Sequence, residues 1–122
     1  MQLVRYQPEY KSCWDTFVAQ SRNATFLFFR DYMDYHADRF HDHSLMFYNK
    51  DRLLGLLPGN VEGDVYYSHQ GLTYGGFLLS FITTAEQVIE MLDRTTTYLK
   101  DQGIKSMIYK SIPWFYHKTP AE

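Results

Sequence analysis

The chain has 122 residues, 45% of them hydrophobic and 21% charged, the composition of one globular domain rather than of a disordered segment. Basic side chains number 12 against 14 acidic ones, for a net charge of −2, which leaves no footprint for DNA or RNA. The longest apolar runs fall far short of the roughly 20 residues of a membrane span, the start lacks the pattern of a signal peptide, and the lone Cys13 excludes an intrachain disulfide; the expectation is a soluble, cytoplasmic protein.

Leu3 to Tyr6 reads as a first strand, after which Pro8 suits the opening turn of a helix because its missing N–H costs nothing there. Tyr10, Cys13, Trp14, Phe17, Val18 and Ser21 follow at helical spacing, which predicts one apolar face with Cys13 as an inert core thiol. A second helix is predicted from about Phe29 to Arg39, with Phe29, Met33, His36 or Ala37, and Phe40 turned inward. Arg30 near its N-terminus is poorly placed for the helix dipole, so it calls for a specific partner: Asp31, Asp34 or a ligand anion, with a surface ion pair as the plainer account.

Ser44 to Asn49 and Arg52 to Leu57 read as two strands around a tight turn at Lys50-Asp51, the second apolar on both faces as a central strand is. Pro58-Gly59-Asn60 stops it, Glu62-Gly63-Asp64 turns the chain again, and Val65 to His69 forms the next strand. Phe77 to Ile82 is a short strand or a buried connection. Thr84 and Gln87 have the spacing of a capping box at the start of a long helix whose inner face is Val88, Met91, Leu92, Thr95, Tyr98 and Leu99. Gly103 sits where a C′ glycine belongs, and Ile104 to Ile112 returns as a strand, so that strand, helix and strand make a parallel unit.

Between the strand and that helix lies Ser68-His69-Gln70-Gly71-Leu72-Thr73-Tyr74-Gly75-Gly76. Its glycines permit close backbone approach, and loops at strand ends in α/β folds are where ligands bind. Ser68, Gly71, Thr73, Gly75 and Gly76 are therefore the candidate substrate-binding residues, with His69 as a base and Tyr74 as an acid. Arg39 is a candidate for holding a carboxylate or phosphate. His41 and His43 flank Asp42 without a recognised zinc spacing, and no metal is expected.

The element order and four blocks of residues carry a resemblance. Phe26-Leu27-Phe28-Phe29-Arg30-Asp31-Tyr32-Met33-Asp34-Tyr35-His36, Asp38-Arg39-Phe40, Ser68-His69 through Gly76, and Ile112-Pro113 with Tyr116-His117 resemble a bacterial group of GNAT-like (N-acetyltransferase) proteins similar to the Fem-type aminoacyl and peptidyl transferases. The resemblance covers nearly the whole chain and implies a GNAT-like α/β fold, a mixed sheet of about five or six strands flanked by three helices. It implies acyl or aminoacyl transfer to an amine substrate in cell-envelope or surface-polysaccharide assembly, with acetyl-coenzyme A or another activated acyl donor. Such proteins have two lobes, and the chain resembles the first, so a missing C-terminal lobe is an expected partner and a homodimer its substitute. The aromatic run Trp114-Phe115-Tyr116 is then the joint to that lobe.

One departure matters. GNAT enzymes carry a Gln/Arg-x-x-Gly-x-Gly/Ala loop before the central helix to hold a pyrophosphate, whereas Phe81-Ile82-Thr83-Thr84 has neither glycine nor base. Two rival readings stand beside acyl transfer: a non-catalytic scaffold lobe that binds a substrate or partner, and a metal hydrolase using His41 and His43.

Overall fold

The computed structural model describes residues 1–21, 28–35, 41–68 and 76–109. Its elements in chain order are β1 (Gln2–Arg5), a 3-10 turn (Pro8–Tyr10), α1 (Lys11–Gln20), α2 (Arg30–Tyr35), β2 (His41–Asp42), β3 (Leu45–Asn49), β4 (Arg52–Leu57), β5 (Asn60–Glu62), β6 (Val65–Ser68), β7 (Leu78–Leu79), α3 (Ala85–Asp101) and β8 (Ser106–Tyr109). This is a mixed α/β fold. The strands form two four-stranded sheets, β1-β3-β4-β7 and β2-β5-β6-β8, rather than the single sheet expected. The parallel unit is present: β6 and β8 pair in parallel, with Ser68 opposite Tyr109, and α3 joins them.

One hairpin links the sheets. β3 pairs with β4 and β2 pairs with β5, all antiparallel. β2–β3 is thus one strand interrupted at His43-Ser44, and β4–β5 is its partner interrupted at Pro58-Gly59. Pro58 has no N–H to give to a ladder, which accounts for the break. The hairpin turns at Lys50, whose φ of 57° lies in the left-handed region.

Alternation along the strands builds two cores. Met46, Leu56 and Leu78 join Tyr6, Trp14, Phe17, Val18, Phe28 and Met33 under α1 and α2. Leu45, Phe47, Leu57 and Leu79 point the other way and join Tyr66, Phe77, Met91 and Leu99 under α3. At about 1.5–3 kcal/mol for each large apolar side chain removed from water, these clusters supply most of the drive for the fold. In α1 the buried row is Trp14, Phe17 and Val18, spaced i, i+3, i+4, so Cys13 falls outside it and is exposed rather than an inert core thiol.

The long helix starts as its sequence dictates. Thr84 accepts a hydrogen bond from the Gln87 N–H at 3.2 Å, and the Gln87 side chain accepts from the Thr84 N–H at 2.9 Å. It ends before Gly103, whose φ is 76°. Its buried row is Met91, Thr95 and Leu99, one i, i+4, i+8 line. Leu92, expected inside, lies on the neighbouring line toward β8 and is 46% exposed.

Candidate functional site

The place where the hairpin leaves one sheet for the other is a seam, and polar groups gather there. The His43 N–H donates to the Gly59 carbonyl at 2.8 Å, and the Gly59 N–H donates to Ser44 Oγ at 3.2 Å, so the two interrupted strands stay tied across the break. Tyr66, fully buried on β6, donates its hydroxyl to the His43 carbonyl at 2.8 Å. A Cβ on residue 59 would overlap that phenol, which is why glycine stands there.

His43 is buried with its ring edge-on to Tyr66 and Tyr98, centroids 6.0 and 5.6 Å away. Its Nε2 lies 2.6 Å from the Tyr98 hydroxyl. Burial, aided by the Arg5 charge and opposed by Asp42, lowers the imidazole pKa to about 4. The ring is therefore neutral near neutral pH, and the phenol donates to Nε2. Burial also raises the Tyr98 pKa, with Arg5 opposing, and pushes that of Tyr66 well above its ordinary value. His43 is held as a neutral acceptor inside the fold. His41 is exposed, and among the described residues no group of three or more His, Cys, Asp and Glu could hold a metal ion.

The other side of the seam is clamped by Arg30, 2% exposed at the start of α2. Its guanidinium lies over the Tyr6 ring at 3.9 Å and the Trp14 ring at 4.9 Å. Nη2 pairs with Asp34 at 2.7 Å and with Asp42 at 3.2 Å, and Nη1 donates to Ser44 Oγ at 3.3 Å. The backbone N–H of Arg30 donates to Asp15 at 2.8 Å. One residue thus connects Tyr6 just after β1, α1, α2 and the seam. In place of the expected surface ion pair the guanidinium is buried while its partners Asp34 and Asp42 stay 46% and 27% exposed, and these carboxylates take the place allowed to a ligand anion. Asp31 instead makes an exposed pair with Lys11 at 2.6 Å, of the kind worth little.

The two described ends of the glycine-rich segment, Ser68 and Gly76, lie at the same seam. Tyr67 pairs with Asn60 on one sheet, and Leu78 pairs with Leu56 on the other. Between those pairs the β4–β5 strand advances four residues and its neighbour eleven. The chain between Tyr67 and Leu78 is therefore seven residues longer than the pairing needs. Ser68 is buried at the carboxyl end of β6, beside the carboxyl end of β8. Gly76 re-enters with φ 93°, a value that disfavours any other residue, and Phe77 packs on Phe47 with centroids 5.7 Å apart.

Of the site residues expected from the sequence, Ser68 and Gly76 are brought to the seam. His69, Gly71, Thr73, Tyr74, Gly75 and Arg39 lie outside the described residues, as does Trp114-Phe115-Tyr116. The sequence does not single out His43, Tyr66 and Tyr98 as a cluster. Tyr98 carries a usable signal, as a hydroxyl on the predicted inner face of a helix that has to find a buried partner.

The helix N-terminus nearest the parallel pair does not fit a pyrophosphate. Thr84 and Gln87 cap it internally, Glu86 adds negative charge to its first turn, and Phe81 and Ile82 before it are exposed. No helix among the described residues is long and apolar enough to cross a membrane. No protein-family model matches the chain, and no curated protein matches it in sequence.

Proposed function

We propose that the chain is the GNAT-like lobe of an acyltransferase that moves an activated acyl group onto an amine, with its cleft at the seam. The observation that carries this reading is the seven-residue surplus between Tyr67 and Leu78 at the carboxyl end of β6. Ligands of α/β sheets bind outside the carboxyl ends of parallel strands, where the sheet parts. In this reading His69 takes the proton from the acceptor amine, and the amine nitrogen attacks the acyl carbonyl. The bond to the leaving group then breaks, and Tyr74 returns a proton to that group. Ser68, Gly71, Thr73, Gly75 and Gly76 form the wall against which the substrate lies, and Arg39 takes its anionic end. Because the α3 N-terminus does not suit a pyrophosphate, no step is assigned to coenzyme A.

The test is acyl transfer by the full chain to a panel of amines from thioester and aminoacyl donors, followed by mass spectrometry. His69→Ala is expected to lower turnover by roughly 10²–10⁴-fold with the melting temperature unchanged; unchanged turnover removes His69 from catalysis. The scaffold reading has one observation in its favour: Arg30 and His43, two of the seam's basic side chains, are engaged by the protein itself. Donor binding without transfer would select it.

A further inference from the structure

The apolar side of α3 near its N-terminus has no cover among the described residues, and we propose that this chain's own C-terminal segment, residues 110–122, supplies it by laying Trp114-Phe115-Tyr116 across Ile89 and Leu92. This inference does not rest on the acyl-transfer reading. It assigns the aromatic run to a helix of the same chain rather than to the joint with a second lobe. Five large apolar side chains are exposed among the described residues. Four of them, Phe81 at 56%, Ile82 at 59%, Ile89 at 63% and Leu92 at 46%, fall in the N-terminal half of α3 or just ahead of it. Exposed apolar surface gathered in one place marks a contact.

The path of the chain selects the occupant. α3 joins the parallel strands β6 and β8 and therefore runs back against both. Thr96, Leu99 and Lys100 share a groove of about 140 Å³ with Ser106 and Met107 at the start of β8, so the side of α3 that carries Leu92, one turn before Thr96, faces β8 rather than β1. From Ser106 to Tyr109 the strand climbs roughly 10 Å, the rise of about seven helical residues. The chain therefore leaves β8 at the level of Leu92 and Asp93. From Tyr109 to Trp114 it can span up to about 17 Å, whereas α3 from Leu92 back to Ala85 rises only about 10 Å. The aromatic run is thus tethered within reach of the whole stripe, at a local concentration that a separate partner does not have. Charge agrees. Glu86 and Asp93 are exposed beside the stripe, and residues 110–122 carry Lys110 and Lys118 against the single acid Glu122. The contact has an apolar centre with opposite charges at its rim.

Tryptophan fluorescence of the full chain tests the proposal, because the chain has two tryptophans and Trp14 is fully buried. Subtracting the signal of Trp114→Phe isolates Trp114. Its emission is expected to lie to the blue of its position in urea and to resist acrylamide quenching, equally at every protein concentration. Ile89→Glu and Leu92→Glu, both at exposed positions, should each shift Trp114 to the red and raise its quenching toward the urea value. Trp14, followed in the Trp114→Phe background, should keep its emission and so report an intact fold. Trp114 as accessible in the native chain as in urea overturns the proposal, as does shielding indifferent to both substitutions. Shielding that vanishes on dilution, the mark of a second copy, overturns it as well. If Leu92→Glu does not fold, Ile89→Glu decides.

Discussion

Acidification should destabilise this protein through His43. The ring is buried, its Nε2 accepts from Tyr98, and its pKa is about 4 against an ordinary 6.5. The unfolded chain therefore binds a proton that the folded chain refuses across that window. The sign follows: the stability is fully present above 6.5 and is lost as pH falls toward 4. Integrating the difference from about pH 7 to about pH 5 gives a loss of about 2 kcal/mol, approaching about 3 kcal/mol below pH 4. Charges facing the ring include Arg5, which deepens the effect, and Asp42, which opposes it. Urea titrations at several pH values measure this directly, with an unchanged slope showing that the denatured state is the same. The same loss lowers the melting temperature by about 8 °C in a domain of this size. His43→Asn should flatten the pH dependence by that amount even though it lowers stability at neutral pH. An imidazole that titrates at its ordinary value by NMR, or a His43→Asn variant with the parental pH slope, would refute the reasoning.

Two further perturbations probe the seam. Arg30→Met leaves Asp42 half inside without its cation and removes the partner of two ring faces, so it should cost about 3 kcal/mol or more, read as a shift in urea midpoint. Arg30→Lys should recover little, because an ammonium can neither fork between two carboxylates nor lie flat between rings. A loss below about 1 kcal/mol would mean that the pairs behave as surface ones. Gly59→Ala should destabilise by about 2–4 kcal/mol, because the new methyl displaces the Tyr66 phenol from its bond to the His43 carbonyl. A variant as stable as the parent would show that Tyr66 has room to move.

Local signals explain which parts of this fold are legible in the sequence. The capping box at Thr84 and Gln87, the stop before Gly103 and the hairpin around Lys50-Asp51 depend on neighbours in sequence, and each appears as read. The division into two sheets does not depend on neighbours. β2 has two residues and β5 three, too few to show a period, and both exist only because they extend the hairpin past the seam. Arg30 misleads for a related reason. A cation in a polar stretch reads as exposed, and only the convergence of Tyr6, Trp14, Asp34 and Asp42 from separate elements buries it. Composition can mark Ser68–Gly76 as a candidate site. That its two ends lie at the seam needs the registers on either side.

Those registers also give the protein a modular joint. The pairs Tyr67 with Asn60 and Leu78 with Leu56 fix each sheet independently of what the chain does between them. Neither register by itself sets the length or sequence of the chain between them, apart from the backbone angle of Gly76 at the return. Loop-swapped chimeras bounded at Ser68 and Gly76 should therefore fold like the parent, and ligand preference in this scaffold can evolve as an edit to one insert.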